Sequence, residues 1–209
     1  MTDEKPKRVF LAIELPEDVK NRIITIQNRL KYLIEGVRWT RPEGIHLTLK
    51  FFGNIYEKDI VQISEVVSRN TKNAETVSLK GGKVGAFPKL ERPRVLWVGL
   101  DGDIEKLSAL QRAIETDLKA YGYKKEGRKF RPHLTLGRAR SSRGMIAGLS
   151  EAIKREENYQ AGQFDSKGLT LFQSELKPGG AVYTELAYFP FTELKNDEKG
   201  RGGSLWHPM

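Results

Sequence analysis

Cysteine is absent from the 209 residues, which excludes a disulfide framework, a thiol nucleophile, thiolate zinc sites and iron–sulfur clusters. Long apolar runs are absent as well. The longest, Val9 to Ile13, falls far short of the roughly 20 residues that a membrane helix needs, so no membrane span is expected. The first fifteen residues lack the basic and apolar segments of a secretory signal, and a cytoplasmic location is expected. Acidic residues are outnumbered: 27 Asp+Glu face 36 Lys+Arg, a net charge of +9. That surplus concentrates polyanions and favours RNA, DNA or nucleotides as partners over acidic proteins. With 38 % hydrophobic and 30 % charged residues the composition is globular, and the length suits one large domain or two small lobes.

An internal echo organises what is present. Arg8-Val-Phe-Leu-Ala-Ile13 recurs loosely as Arg94-Val-Leu-Trp-Val98, and His46-Leu-Thr-Leu49 recurs identically as His133-Leu-Thr-Leu136. The spacing exceeds the 20 to 50 residues of solenoid units, so it indicates a duplicated half with two lobes facing each other. The first half reads as strand (Val9 to Leu15), helix from Glu17 to about Gly36, strand (45 to 52), helix around Ile60 to Val67, and strand from Val77 to a turn at Gly81-Gly82. The second half repeats that order: strand 94 to 100, a helix closed by Gly122, a strand around 131 to 136 and a helix near Ile146 to Ile153. It adds strands near 168 to 175 and 181 to 189. Residues 1–193 form the expected domain. From 194 onward periodicity is lost and a flexible tail is expected. Alternating β and α segments do not by themselves fix strand direction.

The chemistry concentrates in the two HLTL strands. Side chains alternate across a strand, so His46 and Thr48 share one face while Ile45, Leu47, Leu49 and Phe51 point to a core. His133 and Thr135 stand likewise against Leu134 and Leu136. Two such faces related by an approximate two-fold offer two imidazoles and two hydroxyls to one cleft. In-line displacement at phosphorus needs a base for the incoming water and an acid for the departing alkoxide. A histidine pair supplies both near neutral pH, and threonine hydroxyls donate to the non-bridging oxygens. A single His-Leu-Thr-Leu on a strand is ordinarily structural. A second copy arises by chance on the order of once in several hundred chains of this length, and these four positions are identical while the rest of the repeat has diverged. Zinc fits less well, since each strand offers one imidazole and no third ligand follows; no metal or other cofactor is expected. His207 lies in the tail and has no assigned role. No Gly-x-Ser-x-Gly elbow is present.

These residues resemble the two-histidine phosphoesterases, and within them the RNA 2',3'-cyclic phosphodiesterases formerly named 2'-5' RNA ligases. The resemblance spans about residues 8 to 192. It rests on Arg8 to Pro16, Gly44-Ile-His-Leu-Thr-Leu-Lys-Phe-Phe-Gly53, Gly85-Ala-Phe-Pro88 with Arg92-Pro-Arg-Val-Leu-Trp-Val-Gly99, and Phe130-Arg-Pro-His-Leu-Thr-Leu-Gly-Arg138. It implies a bilobal α+β fold, two mainly antiparallel sheets with outer helices and a central cleft bearing both HxTx motifs. It also implies that His46 protonates the leaving 3'-oxygen, that His133 accepts the proton of the attacking water, and that Arg138 contacts phosphate. In a regular strand Arg138 faces away from His133, so a bulge or strand end at Gly137 must turn it inward. Arg131, with the parity of His133, is the rival contact. Lys50 shares the face of His46 and is a candidate for a basic rim; Phe10 and Trp39 are candidate base-stacking rings. The implied substrates are RNA ends bearing 2',3'-cyclic phosphates or cyclic nucleotides; a monomer is expected. Two alternatives remain open at this point: the reverse joining of RNA ends through a 2'-5' linkage, and a nucleotide- or RNA-binding module without turnover.

Overall fold

The computed structural model describes residues 5–192 apart from 142–144 and 179; the expected tail and His207 lie outside the described residues. β1 (Lys7–Ile13) is apolar and β-branched, and Glu17 and Asp18 open α1 (Glu17–Leu33), whose buried stripe is Val19, Ile23, Ile26, Gln27 and Leu30. The chain continues through β2 (Val37–Trp39), a single 3₁₀ turn (Pro42–Gly44), β3 (Leu47–Ile55), α2 (Glu57–Thr71) and β4 (Val77–Lys89). β5 (Arg92–Gly102), α3 (Ile104–Lys119), β6 (His133–Ala139) and α4 (Leu149–Arg155) follow, then β7 (Gln160–Ser166), β8 (Gly168–Lys177) and β9 (Gly180–Pro190). Among the described residues no helix is long and apolar enough to cross a membrane.

The strands form two sheets, ordered β3-β1-β8-β9 and β2-β6-β5-β4-β7, with every neighbouring pair antiparallel. The fold is therefore α+β and bilobal, but the halves of the chain are not the lobes. Each half sends its end into the other's sheet: β4 crosses to β5, and β8 with β9 returns to β1. The helices cross as well. Gln27 of α1 bonds to Leu136 of β6, and Glu115 of α3 bonds to Lys50 of β3. The expected turn at Gly81-Gly82 does not form. β4 runs straight through it between β5 and β7, and a Cβ at Gly81 would lie 2.8 Å from the Cβ of Ala161. The glycine pair admits a close neighbour strand.

Both HLTL strands depart from strict alternation at the same place. Along β3, Ala12 pairs with Thr48 but Leu11 pairs with Lys50, so Leu49 is an extra residue. Along β6, Trp97 pairs with Thr135 but Leu96 pairs with Gly137, so Leu136 is extra. An inserted residue exchanges the two faces of everything beyond it. Lys50 is thereby turned off the face of His46 and into the interior: it is 4 % exposed, its Nζ donates to Glu115 at 2.9 Å and to the Lys124 carbonyl at 3.0 Å, and it forms no basic rim. Phe51, expected in the core, is turned out and is 51 % exposed.

A charge so enclosed must be neutralised nearby. Burial pushes the Glu115 carboxyl up, but the Glu126 N–H and the Lys50 ammonium outweigh it and hold it below its ordinary value. Its contribution to stability is thus present above the usual carboxylate range and is lost as pH falls through the depressed value. At neutral pH Glu115→Leu is expected to cost about 3 to 5 kcal/mol in urea denaturation, because it strands the ammonium, whereas Lys50→Met combined with Glu115→Leu recovers most of that loss. A single variant as stable as the parent would refute this role for the pair.

Candidate active site

The cleft face of the first sheet is set by parity. Val9, Leu11 and Ile13 enter the main core, while Phe10 and Ala12 form a separate buried cluster with Phe172, against which Tyr183 packs. Register explains the grouping, because Phe10 lies opposite Phe172 and Ala12 opposite Thr48. His46 is delivered to this face by the 3₁₀ turn just before β3. Its ring stacks on Phe10 at 4.6 Å and meets Tyr183 edge-on at 5.4 Å. Phe10 is only 2 % exposed, with His46 and Phe172 stacked near its ring; it supports the imidazole and has no free face for a base. Beside these rings lies a cavity of about 430 Å³ reached by Lys20, Arg41, Glu14 and Glu43. The aromatic surroundings strip water from His46 and push its pKa down to about 4.

The second sheet presents His133 and Thr135 on one face of β6, opposite Gly99 and Trp97 of β5. Gly85 allows Trp97 to lie flat here, since a Cβ at that position would come within 2.3 Å of the indole. Phe87 meets His133 edge-on at 5.1 Å and Trp97 at 5.1 Å. The Nδ1 of His133 is 2.7 Å from the Arg131 carbonyl. A carbonyl only accepts, so Nδ1 carries the proton and Nε2 holds the lone pair in the neutral ring. Burial and the positive charge of Arg138 lower the His133 pKa, and the Arg131 carbonyl opposes them. A smaller cavity, about 290 Å³, lies against His133 and includes Arg131, whose guanidinium sits 5.9 Å from the Phe87 ring centre.

The Leu136 bulge turns Arg138 to the His133 face, as the parity argument required. Its charge helps depress the His133 pKa, and opposes the burial that raises that of the Tyr183 hydroxyl. Since Tyr183 abuts His46, the field of Arg138 reaches both imidazole environments. Thr48 and Thr135 are half-buried on their respective faces. Trp39 instead packs against the core, with Lys31 5.8 Å from its ring. Sequence reasoning missed Phe51, Arg8, Phe172 and Tyr183. Arg8 was open to it, since it shares the parity of Phe10 and its charge acts on Tyr183; the others depend on bulges or long-range pairing. Among the described residues no group of three His, Asp or Glu side chains gathers in a metal-binding arrangement.

Known proteins resemble this chain along most of its length. The family model described as LigT like Phosphoesterase matches residues 13–97 and again 98–183. A protein of Methanothermobacter thermautotrophicus named RNA 2',3'-cyclic phosphodiesterase is 34 % identical over 87 % of this chain and 97 % of its own length. One of the same name from Archaeoglobus fulgidus is 30 % identical over 87 % and 99 %. Among solved structures, that of E. coli LigT complexed with 3'-AMP superposes with a TM-score of 0.72 at 26 % identity, over 90 % of this chain and 99 % of that one.

In an NMR titration of the free protein, His46 is expected to titrate near pH 4 and His133 below its ordinary value. Arg138→Ala should raise the His133 value, because removing a cation favours the imidazolium. An unmoved His133 titration would place Arg138 away from that ring.

Proposed function

The chain belongs to the LigT-like phosphoesterase family, and from that premise we propose that it is an RNA 2',3'-cyclic phosphodiesterase that opens terminal cyclic phosphates to 2'-phosphomonoesters by metal-independent acid–base catalysis. The observation that carries this reading is the pair of His-x-Thr faces on two strands bulged at the same position, together with one cation, Arg138, whose field reaches both His133 and the Tyr183 neighbour of His46. On this reading a phosphate bound to that guanidinium is shared by the two imidazoles.

The roles follow from how the two rings differ. His133 holds its Nε2 lone pair toward the cleft and takes a proton from water as the water oxygen bonds to phosphorus. Its Nδ1–H bond to Arg131 strengthens as the ring becomes cationic. His46, desolvated among Phe10, Phe172 and Tyr183, is a strong acid once protonated, and its proton goes to the 3'-oxygen as the P–O3' bond breaks. Arg138 and the hydroxyls of Thr48 and Thr135 hold the non-bridging oxygens, each hydrogen bond to the charged group being worth about 1.5 to 3 kcal/mol. Arg131 takes the lesser part, fixing His133 through its carbonyl. The cavity beside His46, walled by Phe172 and Tyr183, receives the nucleoside. Both histidines come from one chain, so a monomer suffices, and a cytoplasmic RNA substrate fits the net charge of +9.

With a 2',3'-cyclic nucleotide, His46→Ala and His133→Ala are each expected to lower kcat at least about 10²-fold with little change in KM, and Thr48→Val to cost less. EDTA should leave turnover intact, and the product phosphate should sit on the 2'-oxygen. The productive free enzyme needs His46 protonated and His133 neutral, and both pKa values are depressed. The pH profile of kcat/KM should therefore be a bell with both limbs below pH 6.5. The kcat profile should lie to higher pH, since a bound phosphate anion favours the imidazolium. Full turnover in either histidine variant would refute the assignment, as would a kcat/KM that keeps rising above neutrality.

A further inference from the structure

The bulge that turns Arg138 leaves a loose end. Leu136, as the extra residue, has no partner opposite it on β5, and a buried carbonyl without a donor is destabilising. Its oxygen is satisfied from elsewhere, by the Thr40 N–H at 2.9 Å and by the Gln27 side chain at 2.7 Å. Gln27 is a polar residue in the apolar stripe of α1 and is only 1 % exposed. Its second amide hydrogen goes to the Thr40 carbonyl at 2.9 Å. Thr40 begins the segment that runs through the 3₁₀ turn to His46. One buried carboxamide thus joins the bulge that aims Arg138 to the strap that delivers His46.

We infer that Gln27 is a positioning residue for the phosphate site, acting through Arg138; this rests on the reading of the protein as a cyclic phosphodiesterase. With the carboxamide in place the bulge has one geometry, and Arg138 meets the phosphate without reorganising. Without it the Leu136 carbonyl keeps one donor, the Thr40 carbonyl loses the side-chain donor, and the guanidinium is held less firmly. The backbone remains folded because the surrounding packing is apolar and unchanged.

The test is a double-mutant cycle on the intact chain, with 2',3'-cyclic AMP as substrate. Gln27→Met, which keeps the volume and removes both donors, should lower kcat/KM about tenfold with the protein still folded and its melting temperature lowered by only a few degrees, and Arg138→Ala should lower kcat/KM about a hundredfold. The double variant should be no worse than Arg138→Ala to within about twofold, because on this proposal the carboxamide acts on turnover through Arg138 and not through the strap to His46. Losses that multiply toward a thousandfold, or a fully active Gln27→Met, would overturn the proposal. Gln27→Glu is the second variant: ionised, it has no donor for either carbonyl, and protonated it regains one. Its activity relative to the parent at the same pH should recover on acidification from pH 8 to pH 5. If neither variant folds, Gln27 serves stability alone and the proposal fails. Should the parent itself show no turnover, the phosphodiesterase reading falls; the cycle is then run on calorimetric binding of adenosine 2'-monophosphate, where the same non-additivity is expected and additive losses count against Gln27.

Discussion

One inserted residue, the last leucine of each HLTL motif, governs the arrangement of the cleft. A strand offers two faces, and His-x-Thr commits one of them to the cleft. Without the insertions the next residue on that face would be Lys50 in one half, and Arg138 would be turned toward the core in the other. The insertions exchange these outcomes, bringing Phe51 and Arg138 to the cleft and sending Lys50 and Gly137 inward. Each exchange leaves an internal debt. In β3 it is a buried ammonium, met by Glu115 of α3; in β6 it is a carbonyl, met by Gln27 of α1. Both braces come from the helix of the opposite half. The crossed helices therefore do more than cover the sheets: they hold the irregularity on which each half's site depends.

The same crossing explains why the site is legible as one unit. β4 joins the second sheet and β8 with β9 joins the first, so neither half can complete its sheet alone, and the two faces are held in register by shared strands. The first face gains Phe172 and Tyr183 in this way, both from the second half. The surroundings of His46, begun by Phe10, are thus completed by residues more than a hundred positions away in the chain.

Much of this was open to reading from the residues. The helical stripes of α1, α2 and α3 appear where apolar spacing placed them, and the period-two pattern of His-Leu-Thr-Leu put both imidazoles and both hydroxyls on common faces. What failed was the extension of that pattern past its fourth residue. A bulge changes backbone pairing without a distinctive composition, so strict alternation assigned Lys50 to the rim and Phe51 to the core, and each lies where the other was expected. The misfit of Arg138 was the one visible signal, because a charged residue in core parity demands either a partner or a bulge. The Gly81-Gly82 pair was misread for a related reason. Glycine marks turns and close strand approach alike, and only the long-range neighbour, Ala161 of β7, decides between them.

Duplication began with two equal halves, and catalysis by this scheme needs them unequal. An acid and a base related by perfect symmetry would have the same pKa and no reason to divide the work. The departures supply the difference. His46 lies in an aromatic pocket, where the cost of charge falls on the protonated ring. His133 has a backbone carbonyl on Nδ1 that supports its charged form. At the equivalent position after each bulge, one half carries the Phe51 ring and the other the Arg138 guanidinium. On the proposed assignment that contrast orients the substrate: anion toward Arg138, nucleoside toward the aromatic side, and so the leaving 3'-oxygen toward His46. The direction of the reaction is then set by substitutions around two identical tetrapeptides, with no change in the tetrapeptides themselves.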